Sequence, residues 1–521
     1  MADNQQFGRF GRVFLSGEDE KMDFFSPGPT LNKKLRIIHH YPFPHNQPIL
    51  KRYPMLPASK AAQDLESMLQ ANRKEFDLDY DTLHWIRPEQ VLAAEERRRE
   101  LLTRLAGSVG SCCGGAKLFT RDLSPGCRLC TEGLWSCLFI NGICNGRCFY
   151  CPADQTRKGE PTTNTLQFPV VRDFVEYLAV FGIRGVGFSG GEPLMTLDRT
   201  LSYLGAVKKR FGNSVHAWMY TNGMLLTEDI LMRLKDAGLD EIRFDISADR
   251  YSLAKVALAV GEITTVTIEI PAVPEDRQIL QQAMLEMNDL GVNHLNLHQL
   301  RLTPFNRHNL APRPYTFLHG PKVTVLESEQ AALEMLGFAL DKGFATGVNY
   351  CSFIYRHRYQ TLGSRRRATT LLGKAYESVT GTGHLRNLMV FGDPGRLEDL
   401  AASFTASGHS PSLWSLNGQK TRLTIHESLL PLVNQEQFSF KVTYHTAAIK
   451  SSISYQNSYR EVALGKKRKV VVERRAATGE IHLDNEALHA LREGHATSEG
   501  AAAWQDISDY EEPGSGLLAY F

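Results

Sequence analysis

Three cysteines sit close together in one stretch, Ile-Cys-Asn-Gly-Arg-Cys-Phe-Tyr-Cys-Pro, at Cys144, Cys148 and Cys151. Soft thiolates at spacings of four and then three positions suit an iron–sulfur cluster better than a hard, oxygen-loving cation. Three is the informative count. A four-iron cluster held by three thiolates leaves one iron with an open position, where a small molecule can chelate. A structural zinc or an electron-transfer cluster is the other use of such a loop. Cys127 and Cys130 form a second pair, in Gly-Cys-Arg-Leu-Cys, with the spacing of a metal knuckle. With Cys137 and the distant Cys351 they make a candidate second metal or cluster site. Buried free thiols are the alternative, since cysteine packs as a small hydrophobe.

The elements that must position these residues follow from periodicity. The apolar run 134–140 reads as a buried strand and breaks at Asn141-Gly142, a turn signal. Strands and helices then alternate to about residue 300. Strands are expected at 185–188, 215–220, 241–246, 265–270 and 294–299, and helices at 169–181, 196–211, 227–237, 250–259, 275–290 and 327–342. That alternation marks a parallel sheet with crossover helices. In parallel α/β barrels chemistry sits at the C-terminal strand ends. The polar segments fall there: Ser189-Gly190-Gly191-Glu192-Pro193, Asn222 after Tyr220-Thr221, Asp245 and Ser247, Glu269, and His298 in the sixth strand.

The Cys-x3-Cys-x2-Cys loop, with Tyr150 before its third cysteine, and the Gly-Gly-Glu-Pro segment about forty residues later resemble the radical S-adenosylmethionine (radical SAM) superfamily. The resemblance spans about 130–299. It implies a partial (β/α)6 barrel, a [4Fe-4S] cluster on Cys144, Cys148 and Cys151, and S-adenosylmethionine chelating the open iron. Reductive cleavage there releases a 5′-deoxyadenosyl radical, which abstracts a hydrogen atom from the substrate. The resemblance also implies cofactor contacts at Tyr150, Ser189, Gly190, Gly191, Glu192, Asn222, Asp245, Ser247, Glu269 and His298. The segment around Cys127 and Cys130 is similar to that of a little-characterised group related to glycyl-radical (pyruvate formate-lyase) activating enzymes. The chain lacks a cysteine-rich C-terminal extension, and its N-terminal part lacks the cobalamin pattern Asp-x-His-x-x-Gly.

Outside the barrel the expected order is an N-terminal arm with two helices (1–110), the barrel with its cysteine-rich approach (111–350), a connector of helices and loops (351–410) and a small β-rich C-terminal domain (411–521). His39, His40 and His45 in the arm read as packing or surface residues. The charge run Glu95–Glu100 reads as a solvated helix face, and so do Arg356, Arg358 and Arg365–Arg367. A chain of 521 residues, 42% hydrophobic and 22% charged, can bury sizeable cores. Its net charge of +2 gives no strong pull toward nucleic acid or membrane. Eight of the nine cysteines lie between Cys112 and Cys151, and no signal-type N-terminus or run of about 18 apolar residues is present, so a cytoplasmic, thiol-keeping setting is expected.

The function expected is hydrogen abstraction from a peptide, protein or amino-acid substrate, with flavodoxin or ferredoxin as electron donor and neither nucleic acid nor membrane as partner. Activation of a glycyl-radical enzyme is the second reading. A non-catalytic iron–sulfur scaffold or electron-transfer protein is the third.

Overall fold

The computed structural model describes residues 58–465, 468–493 and 502–513. The arm with His39, His40 and His45, the Lys466–Lys467 pair and the end of the chain lie outside the described residues. Two helices come first, α1 (Ala58–Phe76) and α2 (Pro88–Leu105), the latter with proline at its first turn. Two short strands, β1 (Gly110–Cys112) and β2 (Lys117–Phe119), and a short helix, α3 (Pro125–Thr131), lead into β3 (Trp135–Ile143).

The expected alternation follows. It runs α4 (Val171–Val180), β4 (Gly185–Gly190), α5 (Leu197–Phe211), β5 (His216–Thr221), α6 (Glu228–Asp236), β6 (Glu241–Phe244), α7 (Ala254–Ala259), β7 (Thr265–Pro271), α8 (Arg277–Leu290), β8 (His294–His298) and α9 (Leu326–Asp341). A seventh parallel strand, β9 (Gly347–Cys351), pairs with β8 and places Cys351 at its C-terminal end, beside His298. The sheet order is β1-β2-β9-β8-β7-β6-β5-β4-β3, with β2 antiparallel to β9 and a short ribbon at 162–167 beyond β3. Alternate residues of each strand point outward into an apolar layer beneath the helices, for example Phe188, Met219, Ile242, Ile268 and Leu295, all essentially inaccessible. The inward set is polar, and α3 closes the N-terminal end, where the Gly126 amide donates to Glu241 Oε2 at 3.0 Å.

Beyond β9 a helical run leads into α10 (Thr361–Leu372). An antiparallel sheet follows, built from β10 (Leu385–Phe391), β11 (Trp414–Leu416), β12 (Arg422–Ile425), β13 (Ser439–Lys450), β14 (Tyr459–Ala463), β15 (Lys469–Ala476) and β16 (Ile481–Leu483). Its main order is β11-β12-β10-β13-β15-β14. Helices α11 (Pro394–Ala406), α12 (Asn485–Glu493) and α13 (Ala502–Glu511) accompany it. The sheet therefore takes in 385–391, placed by the sequence in a connector of helices and loops; the strand is held by β12 and β13, which lie far along the chain. One side of the sheet has its own core around Leu388, Phe404, Phe440 and Tyr444, whereas Val462, Leu464, Val470 and Val472 belong to the barrel's core.

The run Glu95–Glu100 is exposed as expected except at Arg98, and the arginines at 356, 358 and 365–367 are half-buried rather than solvated. Arg98 is 5% exposed, and its Nε lies 3.1 Å from Glu329 Oε2 on α9, so α2 docks through a buried ion pair. Arg365 donates to the Thr382 carbonyl and His384, Arg366 to the Gly381 carbonyl, and Arg367 to the Trp135 carbonyl. These bonds tie α10 to both β3 and the C-terminal sheet. Here α10 also crosses the turn after α3 at two glycines. A Cβ on Gly363 would stand 2.2 Å from Gly133 Cα. Gly363→Ala, which in an open helix stabilises by up to about 1 kcal/mol, should here cost about 1–3 kcal/mol through overpacking. A lowered thermal midpoint would register the cost; a raised one would rule out the close crossing.

Candidate active site

The cysteine loop leaves β3 at the C-terminal mouth of the barrel. The ideal Cβ position on Gly146 lies 3.4 Å from Cys144 Sγ, 3.6 Å from Cys148 Sγ and 3.5 Å from Asn222 Nδ2. Both sulfurs and the asparagine amide thus face one small space that a larger side chain at 146 would fill. The Gly146 amide donates to Cys144 Sγ at 3.3 Å. Cys151 is close enough to raise the pKa of both other thiols, after burial, which is the main cause and pushes Cys148 up to about 12. Among the described residues no three ligand-type side chains converge as on a single metal ion. A cluster does not need that, because each thiolate takes its own iron. The donor set, its sulfur-facing amides and the open space around Gly146 suit a [4Fe-4S] cluster.

The Gly-Gly-Glu segment packs against the root of this loop. The expected role of Gly190 and Gly191 was close approach to a ligand; the structure shows close approach to backbone. A Cβ on Gly190 (φ +127°) would stand 2.1 Å from the Asn141 carbonyl oxygen, and one on Gly191 1.9 Å from that of Ile143. Glu192, also expected at the cofactor, is 1% exposed, and its carboxylate accepts from the Leu194 amide, the Thr221 hydroxyl and the Asn222 amide at 2.8–2.9 Å. It braces the turn that aims Asn222 at the cysteine loop. Asn222 Nδ2 lies 2.8 Å from Asn145 Oδ1 and 3.7 Å from Cys144 Sγ.

Tyr150, Asp245 and Ser247 come together as one patch. The Tyr150 hydroxyl is 2.9 and 3.0 Å from the two Asp245 oxygens and 2.5 Å from Ser247 Oγ, and Ser247 donates to Asp245 at 2.6 Å. Burial raises the Asp245 carboxyl's pKa against the pull of those hydroxyls. Ser189, at the end of β4, bonds the Cys137 thiol, whose pKa burial lifts to about 12.

Glu269 and His298 lie across the lumen. Glu269 Oε1 is 2.6 Å from His298 Nε2, Oε2 is 2.6 Å from Arg243 Nη1, and Arg356 Nη2 is 2.6 Å from His298 Nδ1. Arginine only donates, so His298 Nδ1 accepts and Nε2–H donates to Glu269. Burial, then Arg356, depresses His298 to about 4. Below, Arg243, 3% exposed, spans to Glu241 at 2.8 Å and Ser124 at 3.2 Å, over the faces of Trp218 and Tyr220. Glu241, wholly buried, also holds His216 and Thr267, and its pKa lies down at about 2: burial raises it, and Arg243 and His216 more than offset that. Neither Arg243 nor Glu241 stood out in the sequence.

The candidate second metal site is differently arranged. Cys127 Sγ accepts from Asn296, Cys130 Sγ from Tyr355 and Gln360, and Cys351 Sγ lies 2.9 Å from Lys117 Nζ. Cys137 turns instead to Ser189. The fully buried Lys117 ammonium stands among Cys112, Cys127, Cys130 and Cys351, over the Tyr355 ring.

A loop insertion follows β8, as the gap before the helix at 327–342 leads one to expect; its contacts with the cysteine loop were not read from the sequence. Thr303 bonds the Pro152 carbonyl, Asn306 that of Tyr150 and Asn309 that of Phe149. Phe149 and Tyr150 pack against a separate core made by Phe76, Tyr80, Leu83, Leu302, Tyr315 and Phe317. The Asn-Arg-His-Asn segment, polar between apolar runs, was the available signal.

The radical SAM superfamily model matches residues 138–256. A Methanocaldococcus jannaschii protein, named provisionally as a glycyl-radical enzyme activating enzyme, is 31% identical over 293 residues, which is 54% of this chain and 76% of that one. The GTP 3′,8-cyclase of Corynebacterium glutamicum is 31% identical over 156 residues, 29% of this chain and 41% of the cyclase, so under half of that relative is spanned. Among solved structures, methylornithine synthase aligns at TM-score 0.31 and 11% identity over 55% of this chain and 85% of its own. The Kitasatospora setae radical S-adenosylmethionine methyltransferase TsrM aligns at 0.27 and 15% over 36% and 42%. The chain belongs to the radical SAM superfamily. Members bind a [4Fe-4S] cluster and S-adenosylmethionine, and three cysteines are present in the loop.

Removing Arg243 leaves two buried carboxylates uncompensated, so Arg243→Ala should cost about 3–5 kcal/mol in urea unfolding. A loss under about 1 kcal/mol would mean that water already reaches the pair. His298 titrates near 4 when folded and near 6.5 when unfolded. Between those values the unfolded chain binds the extra proton, so stability falls as pH drops from about 6.5 to 4. His298→Gln keeps an acceptor and a donor without the titration. Its stability should fall less steeply, by up to ~1.4 kcal/mol per pH unit, and an unchanged slope would show His298 to be charged.

Proposed function

We propose that this protein is a radical SAM enzyme that abstracts a hydrogen atom from a polypeptide substrate. The observation carrying the reading is the meeting, at one barrel mouth, of the cysteine loop around Gly146 with Asn222 and the Tyr150–Asp245–Ser247 patch. Cys144, Cys148 and Cys151 would hold the cluster, which with S-adenosylmethionine supplies a 5′-deoxyadenosyl radical. Asp245 and Ser247 present acceptors suited to sugar hydroxyls, held in place by the Tyr150 hydroxyl. Asn222, braced by Glu192, offers an amide for the amino-acid part of the cofactor. Asn306 and Asn309 fix the backbone of the cysteine loop. Glu269, His298 and Arg356 line the far side of the lumen, where a substrate would lie. His298 carries one proton, on Nε2, within reach of Glu269.

A polypeptide substrate is supported by the C-terminal sheet and N-terminal helices, which add surface to the barrel. A second reading, abstraction from a backbone glycine of a partner enzyme, is supported by the archaeal relative's name. An electron donor of the flavodoxin or ferredoxin kind accompanies either.

The test is anaerobic reconstitution with iron, sulfide, dithionite and S-adenosylmethionine, measuring 5′-deoxyadenosine. The wild type should form it, and Cys144→Ala, Cys148→Ala and Cys151→Ala should each reduce it to background. Cleavage retained by any of the three overturns the assignment. No cleavage from a fully loaded wild type, with or without peptide, favours an electron-transfer role. A glycine-centred radical on an added partner, seen by electron paramagnetic resonance, selects the second reading.

A further inference from the structure

The C-terminal sheet bounds a cavity of about 560 Å³, lined by Lys374 and Glu377 after α10, Asn387 of β10, Arg422 and Thr424 of β12, Ser415 of β11, and Arg460 and Arg474 of β14 and β15. The sheet curves so far that its two edge strands, β11 and β14, both contribute to this wall. The volume is that of a ligand site rather than a packing defect.

Its charge is one-sided. Glu377, the acid of the lining, is already held bidentately by Arg474 at 2.7 and 3.0 Å. Lys374, Arg422 and Arg460 make no ion pair among the described residues. The Lys374 ammonium lies over the Tyr376 ring at 5.4 Å, and Arg460 donates to the Leu371 carbonyl at 2.8 Å. Three cations thus share one concavity with no acid in direct contact; Glu480, which acts on Arg422 from outside the lining, is itself paired with Lys441 at 2.8 Å. On the floor, Asn387 Oδ1 is buried with no hydrogen-bond partner. A buried acceptor without a donor is rare and calls for one from outside. The N–H groups of a peptide meet that need.

We propose that this cavity docks an acidic segment of the polypeptide substrate, away from the residue that reacts; the proposal rests on the polypeptide reading above. Carboxylates would pair with Lys374, Arg422 and Arg460, and a backbone amide would reach Asn387. The distance to the mouth is built in. From Arg356, which touches His298, a continuous helical run reaches Leu371 and Leu372 on the cavity wall. At 1.5 Å per residue that run is about 23 Å long. An extended peptide needs at least roughly seven residues to cover it, so the acidic segment lies at least that far along the substrate from the reacting residue.

The test uses the full reconstituted chain and fluorescein-labelled hexaglutamate, with labelled hexalysine as control, followed by anisotropy. Hexaglutamate should bind, more weakly as salt rises, and hexalysine should not. The Lys374→Glu/Arg422→Glu double variant should weaken binding at least about tenfold, and Asn387→Leu severalfold, while both keep wild-type S-adenosylmethionine cleavage and thermal midpoint. Equal affinity in wild type and double variant overturns the proposal. Displacement of the peptide by millimolar inorganic phosphate at constant ionic strength also overturns it, in favour of a general anion site. If the wild type binds the peptide as described yet cleaves no S-adenosylmethionine, the functional reading fails and the docking site stands.

Discussion

Arg243 is the group around which the barrel is arranged. Its guanidinium is buried beside Glu241 and Glu269, and from them a line of opposite or polar partners runs from His216 at the closed end to His298 and Arg356 at the mouth. Charges of this kind are costly to remove from water and persist only when every partner is placed. The placement explains several otherwise separate features. The helix α3 must close the end of the barrel because its Gly126 amide and Ser124 hydroxyl complete the shells of Glu241 and Arg243. Trp218 and Tyr220 must face inward to cover the guanidinium. A polar lumen, unlike a packed aliphatic one, then leaves hydrogen-bonding groups in reach of whatever enters from the mouth.

The cysteine loop is steadied from outside the barrel. Its backbone carbonyls at 149, 150 and 152 are held by side chains of the insertion after β8, and its two aromatic residues belong to the core shared by α1 and that insertion. Glu192 and the two glycines hold the neighbouring turn from beneath. A loop fixed on both sides keeps its thiolates oriented without help from regular structure.

Much of the barrel was legible because its strands are apolar runs bounded by turn residues, a local signal. The cysteine loop and the Gly-Gly-Glu segment were legible because their chemistry depends on spacing along the chain. What was not legible depends on partners far away in sequence. Glu-Ile-Arg-Phe at 241–244 reads as part of a strand, and nothing local shows that Glu269 and Ser124 face it. Arg98 reads as one charge in a solvated run until Glu329 is placed opposite. The strand 385–391 gives a weak local pattern and takes its identity from 422–425 and 439–445. Gly190 and Gly191 stand out in the sequence as a close-approach pair, and in the structure they lie against the backbone of Asn141 and Ile143. Spacing identifies that close contact is needed and is silent on with what.

The division of the C-terminal sheet between two cores has a consequence for how the molecule comes apart. Val462, Leu464, Val470 and Val472 complete the same apolar mass as the barrel strands, while Leu388, Phe440 and Tyr444 of the same sheet face another. Hydrogen-bonded strands that contribute to both cores transmit the loss of one to the other. Barrel and sheet are therefore coupled in a single cooperative unfolding unit rather than being two beads on a string. A shortened chain that ends at the last barrel strand would expose the apolar ground on which β14 and β15 rest, and would meet its fate through self-association rather than through loss of any catalytic group.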